Sequence, residues 1–387
     1  MDYEKLLSPT VQSLKPSGIR KFFDIANTMQ GVISLGVGEP DFPTPWEIRK
    51  AGIRSLENGK TRYTANRGLE LLCREVSAYT DRKYGFSYDP ATEVMITVGG
   101  SEGIDAAIRA LVCAGDEVII PQPSYVCYEP LVRLAGGVPV ILETTAQFDF
   151  KVTPEMLRSV LSPKTKLLIL PYPCNPTGAI MEQGDLEALA AVLRGTNVIV
   201  LSDEIYAELT FGGKDHASIA AIPDMKERTV VVNGFSKTVS MTGWRLGYAC
   251  APAPIMRQMV KIHQFAIMCA PTTSQYAAVE ALRNGDEAVA RMKEEYDMRR
   301  RLIVKGFNDL GLSCREPKGA FYAFPCIKST GMTSDEFCEK LLYAEKVAVV
   351  PGTAFGQGGE GYIRASYCYS TEHISEALRR IGHFLKK

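Results

Sequence analysis

Four side chains in this sequence stand where their chemistry could be used. Lys237 follows the β-branched run RTVVVN within NGFSKT, and a lysine amine can condense with an aldehyde or carry a proton. Taken alone, such a lysine is a solvated loop residue. Asp203 ends the run NVIVLS, and the carboxyl ends of strands are where an α/β sheet usually binds ligands. Its plain alternative is a helix-capping aspartate beside Glu204. Arg245 in TGWRLGY and Arg364 in GYIRASY carry planar forks of donors that suit a phosphate or a carboxylate. A surface salt bridge is the ordinary alternative for each. The turn GGSEGI, after EVMITV, opens a helix, so the backbone N–H groups of Gly100, Ser101 and Glu102 could cradle an anion at its N-terminus.

These residues must be held by a frame, and its outline is written between residues 93 and 251. The runs EVMITV, DEVIIP, VPVILE, KLLILP, NVIVLS, RTVVVN and LGYACA alternate with amphipathic stretches such as EGIDAAIRALVCA and GDLEALAAVLRG. That rhythm predicts an α/β fold, a mostly parallel sheet sandwiched by helices. A long helical region follows, roughly 252 to 310. Beyond it the runs LSCREP, GAFYAFPC, VAVVPG and GYIRASYC, with helices near 333–345 and 371–386, predict a smaller α+β domain. The start of the chain has loop chemistry, GVGEPDFPTP, and no strand of the main sheet. The expected division is a large domain over residues 46–280 and a small one from 1–45 and 281–387.

Composition removes several function classes. Forty-four basic residues balance forty-four acidic ones, so no global field draws nucleic acid or an anionic membrane. The first residues carry charges and prolines instead of an apolar signal core, and no apolar run reaches spanning length, which predicts a cytoplasmic protein. Ten cysteines without a CxxC pair read as reduced thiols. His216, His263, His373 and His383 are too dispersed for metal spacing. PGTAFGQGGEG lacks a P-loop lysine and no strand-led GxGxxG appears, so nucleotide binding and a nicotinamide dehydrogenase are not supported.

Eight motifs occur in one order: GVGEPDFPTP, RYT, GGSEGI, PQPSY, PYPCNPTG, SDEIY, NGFSKTVSMTGWRLGY and GYIRASY. Over essentially the whole chain this series resembles the class I aminotransferases, the fold-type-I family that uses pyridoxal 5'-phosphate, and within it the gamma subgroup. The resemblance implies that Lys237 holds the cofactor as a Schiff base and moves the proton of the substrate's Cα. It assigns the phosphate to Arg245 and the GGSEGI turn, the pyridine nitrogen to Asp203, and the phenolic oxygen to Tyr206 and Asn175. Tyr125 would stack on the ring, Arg364 and Gly38 would receive the amino acid, and Tyr63 would reach the cofactor phosphate of a partner subunit in a homodimer. The family often has serine three residues before the lysine; here Gly234 stands there, and Ser236 is the candidate substitute. The segment LKPSGIRKF resembles the family's N-terminal lid, which makes Ile19 and Arg20 candidates for side-chain contacts.

The resemblance also implies the reaction, transfer of an amino group from an L-amino acid to a 2-oxo acid such as 2-oxoglutarate. Aspartate enzymes of the gamma subgroup tend to have lysine where this chain has Ser101, whereas PYPCNPTG through SDEIYAEL looks most like the aromatic and N-acetyl-diaminopimelate enzymes. An aromatic or broad specificity is expected. The alternatives are an aspartate or N-acetyl-LL-diaminopimelate aminotransferase, a C–S lyase or cyclopropane-forming synthase on the same fold, and a non-catalytic regulatory protein that kept it.

Overall fold

The computed structural model describes residues 1–16, 18 and 29–386. After a first short strand, β1 (Ile33–Ser34), the seven predicted runs form one sheet. They are β2 (Val94–Thr97), β3 (Glu117–Gln122), β4 (Val138–Glu143), β5 (Thr165–Leu170), β6 (Ile199–Asp203), β7 (Thr229–Gly234) and β8 (Gly247–Cys250). Their spatial order is β2-β8-β7-β6-β5-β3-β4. Strands β3 to β7 pair in parallel, while β8 lies antiparallel to both β2 and β7.

Burial explains why these strands read as continuous apolar runs instead of alternating ones. Apart from the edge strand β4, they are buried almost end to end, as a sheet covered on both faces requires. In β5, Leu167 and Ile169 pack with Ile104, Ala107 and Met256 from helices Gly99–Leu111 and Ala253–Ala266. Leu168 and Leu170 face the other way, against Leu189 and Leu193 of helix Gln183–Leu193. The geometry has one consequence for function. The carboxyl ends of β2, β3, β5, β6 and β7 share one sheet edge, and β8 begins there, with Gly247 opposite both Thr97 and Gly234.

The second group of elements is built from short strands. These are β9 (Tyr322–Ala323), β10 (Val347–Ala348), β11 (Val350–Pro351) and β12 (Ile363–Ser366). β10 pairs in parallel with β1, and β12 lies antiparallel between β11 and β9. Helices Asp286–Asp309, Ser334–Glu345 and Thr371–Phe384 bury Ile303, Phe307, Phe337, Leu341, Ile374 and Ile381 against them. Tyr206, Leu209 and Phe211, from the chain after β6, insert into this same core. The main sheet and the short strands are therefore joined beside the edge where the ligand site is expected.

One expected strand does not form. LSCREP runs without regular structure because Asn308 takes both backbone groups of Cys314, donating to its carbonyl at 3.0 Å and accepting its N–H at 2.9 Å. Pro317 then offers no N–H for a ladder. The cysteines are all free thiols, six of them buried. Among the described residues no helix is long and apolar enough to cross a membrane.

Candidate active site

A cavity of about 410 Å³ opens where the carboxyl edge of the main sheet meets β9 and β12. Its wall brings together Gly38, Gly100, Ser101, Tyr125, Asn175, Asp203, Tyr206, Ser236, Lys237, Arg245 and Arg364, residues separated by up to 326 positions in the chain. Two expected residues face elsewhere. Tyr63 is 81% exposed and outside the cavity. Glu102 turns its carboxylate away, accepting the Val98 N–H through one oxygen and meeting His263 Nδ1 at 2.5 Å through the other. It caps its helix, and only its backbone belongs to the helix N-terminus that faces the cavity. Ile19 and Arg20 lie outside the described residues.

Lys237 sits in the short helix Phe235–Thr238 that leaves β7, and its Nζ donates to the Gly38 carbonyl at 2.6 Å. Burial pulls its pKa down to about 8, opposed by Cys368 and Glu39 and aided by Arg364 and Arg245. An amine held there is free to act as a nucleophile near neutral pH. Asp203, at the end of β6, accepts the Tyr128 hydroxyl at 2.7 Å and the Ile205 N–H at 3.2 Å. Burial raises its pKa to about 6 against the effect of those two bonds. A cationic N–H placed on its remaining lone pairs would bring it back to the ionised form.

Arg364 is 2% exposed, on β12. It donates to Asn175 Oδ1 at 2.9 Å and to the Gly36 carbonyl at 2.5 Å. The Tyr322 and Phe355 rings lie 4.4 and 4.8 Å from its guanidinium carbon, and its Nε has no partner. A buried donor without a partner is costly, and the guanidinium stands in the cavity wall, where a carboxylate could pair with it. Because Asn175 Oδ1 is engaged, its amide N–H groups remain to donate elsewhere. The Tyr206 hydroxyl meets that of Tyr322 at 2.8 Å.

The anion cradle forms where backbones come close. Gly99 has φ +74°, and a Cβ built on it would lie 2.7 Å from Arg245 Nη2, so the guanidinium rests on the first residue of helix Gly99–Leu111. Arg245 is itself in the left-handed region, φ +50°. Guanidinium donors and open helix N–H groups thus converge on one spot, where an anion could be held. Gly234 belongs to the same stack: a Cβ there would come within 3.0 Å of Gly247 Cα and 3.1 Å of the Leu246 carbonyl. Backbone crowding accounts for glycine where serine is common, while Ser236 stands in the cavity wall.

Around one cavity stand a buried amine, a guanidinium beside an open helix N-terminus, a buried carboxylate and a second, buried guanidinium. The family model for aminotransferase class I and II matches residues 30–381. The chain belongs to this family. A Bacillus subtilis protein named as an aminotransferase is 55% identical, covering 98% of each chain. The aspartate aminotransferase of Pyrococcus abyssi is 44% identical, again over 98% of each. The solved aromatic aminotransferase of Pyrococcus horikoshii is 43% identical, with TM-score 0.90 over 94% of this chain and 98% of that one.

Class I aminotransferases depend on pyridoxal 5'-phosphate, and the residues of this cavity fit such a group: Lys237 could meet an aldehyde, the Arg245 cradle a phosphate and Asp203 a protonated ring nitrogen. The structure also shows site residues that sequence reasoning missed, chiefly Tyr128, Tyr322, Thr242 and Ile205. Tyr128, three residues after Tyr125, belongs to none of the sequence motifs. Tyr322 sat in the aromatic run GAFYAFPC, which reads as strand. The only available signal for it was pairing of that run with GYIRASY, which places Tyr322 opposite Ser366 and diagonal to Arg364 on one sheet face.

Proposed function

We propose that this aminotransferase takes L-amino acids with aromatic or other uncharged side chains as donors and a 2-oxo acid such as 2-oxoglutarate as acceptor. The observation that carries this reading is the charge inventory of the cavity. Among the described residues its cations are Lys237, Arg245 and Arg364, and each already has a task. The rest of the cavity wall includes Val37, Tyr125, Val126 and Tyr322, the last of them against Arg364. A second carboxylate, as on aspartate, finds no guanidinium or amine of its own here. Relatives named for aspartate and for aromatic substrates are almost equally similar to the chain, so the pocket must decide.

The assignments are as follows. Bound pyridoxal 5'-phosphate supplies an aldehyde that captures amines and a ring that takes up the charge released when a Cα–H bond breaks. Lys237 would hold the aldehyde carbon. Arg245, Ser236 and the N–H groups of Gly100, Ser101 and Glu102 would hold the phosphate, and Asp203 would keep the ring nitrogen protonated. Tyr206 and Asn175 would donate to the ring oxygen, and Tyr125 would stack. The substrate carboxylate would pair with Arg364 through Nε and one Nη, and Gly38 would leave room beside it. Lys237, displaced by the incoming amine, would take the Cα proton and return it to the former aldehyde carbon, a task suited to an amine with a near-neutral pKa. We further propose that the chain acts in the cytoplasm as a homodimer in which Tyr63 serves the partner's phosphate site, with the two domains divided near residue 280.

Turnover of a panel of amino donors with 2-oxoglutarate tests this. Aromatic donors should exceed aspartate in kcat/KM by at least about tenfold, a difference of roughly 1.4 kcal/mol. Donor alone should leave the cofactor as pyridoxamine phosphate. Preference for aspartate would reject the substrate reading, and ammonia release without pyridoxamine phosphate would indicate elimination chemistry instead.

A further inference from the structure

Tyr322 touches three parts of the cavity at once. Its hydroxyl meets the Tyr206 hydroxyl at 2.8 Å, and its ring lies 4.4 Å from the Arg364 guanidinium carbon. A Cβ on Gly38 would run into its hydroxyl oxygen, and the Gly38 carbonyl is what Lys237 Nζ binds. Phe355 covers the guanidinium as well, at 4.8 Å, but touches neither tyrosine hydroxyl among the contacts above. It comes from the glycine-rich segment PGTAFGQGGEG, whose chemistry was otherwise unaccounted for. That segment is tied to the main sheet by the Ser124 N–H donating to the Phe355 carbonyl at 3.1 Å and by Gly356 lying against the Gln122 side chain.

We propose that Tyr322 is a positioning residue with two separable tasks: its ring, with Phe355, holds the Arg364 plane for the substrate carboxylate, and its hydroxyl donates to Tyr206. This rests on the reading that Arg364 receives the carboxylate and Tyr206 donates to the cofactor's ring oxygen. If Tyr206 spends its proton on that oxygen, its own oxygen must accept, and Tyr322 is the donor within reach. Two O–H groups in series strengthen one another. The second donor thus lowers the proton affinity of the ring oxygen and of the nitrogen that shares its proton. Cation–π contact with two rings fixes the guanidinium without using any of its N–H groups, which leaves its free N–H groups to the ligand.

The two tasks separate in two variants of the holoenzyme. Tyr322→Phe keeps the ring and should raise the pH midpoint of the bound cofactor's visible absorbance by a few tenths of a unit, with KM for the amino donor within about twofold of wild type. Phe355→Leu should do the reverse, raising KM about threefold to tenfold with the midpoint unchanged. Gly38→Ala, which displaces the Tyr322 hydroxyl, should move the midpoint in the same direction as Tyr322→Phe. An unmoved midpoint in Tyr322→Phe, or an unmoved KM in Phe355→Leu, overturns the proposal. Arg364→Ala distinguishes the underlying reading: if its KM equals wild type, the carboxylate assignment is wrong and the ring's task falls with it, whereas a moved midpoint in Tyr322→Phe still supports the hydroxyl's task.

Discussion

Asp203 pays for its position before any cofactor arrives. Its folded pKa, about 6, lies above the ordinary value of 3.8 because burial disfavours the charge. Between those values the folded chain binds more protons than the unfolded one, so this residue's contribution to stability falls as pH rises from about 4 to about 6 and stays lost above. Asp203→Asn should therefore stabilise the apoprotein at pH 7.5 by about 1–3 kcal/mol and leave it nearly unchanged at pH 4, while weakening cofactor binding. Urea midpoints at the two pH values check this, and equal offsets at both would reject it. At this scale the sequence was legible wherever a residue sat in a distinctive turn at the sheet edge: Lys237 and Asn175 follow strands, Asp203 ends one and Arg245 precedes one. Tyr128 and Tyr322 were not legible, since an aromatic in a helix or strand looks like packing until the neighbouring element is placed.

The element that matters most is the junction between β8 and helix Gly99–Leu111. A Cβ on Gly247 would lie 2.7 Å from the Gly99 carbonyl carbon and 2.8 Å from the Gly100 nitrogen, so the strand must pass the cradle backbone-to-backbone. Gly247→Ala should cost about 1–3 kcal/mol of stability and, by spreading the cradle, raise the dissociation constant for pyridoxal 5'-phosphate at least about tenfold, or 1.4 kcal/mol. Thermal melts of apoprotein and a cofactor titration read the two effects. A stability loss with unchanged affinity would mean that the junction is packing alone. The strands of the main sheet were legible because double-sided burial writes continuous apolar runs. LSCREP was misleading for the opposite reason: its outcome depends on one side chain, Asn308, which local pattern does not report.

For the whole molecule, the open question is what lies beyond one chain. Tyr63 projects from the surface while Phe265, also on the surface, is 88% exposed, and both are more apolar than an exposed position ordinarily carries. If a second copy covers Tyr63, sedimentation should give twice the chain mass, and Tyr63→Phe should weaken cofactor affinity about threefold to tenfold without altering the apoprotein melt. A monomer whose Tyr63→Phe variant binds the cofactor normally would remove the partner from the site. The separate short sheets beyond the main one could be anticipated from a change of rhythm after residue 310. The stitching of the two cores by Tyr206, Leu209 and Phe211 could not, because those residues follow a strand of one core and are buried in the other.

Everything assigned to the cavity turns on Lys237. Borohydride reduction of the holoenzyme, followed by peptide mapping, asks directly which amine carries the cofactor. A stable pyridoxyl adduct on the peptide containing Lys237, absent from Lys237→Ala, is the expected result. Equal labelling of Lys237→Ala, or an adduct on another lysine of the wild-type chain, would contradict the account.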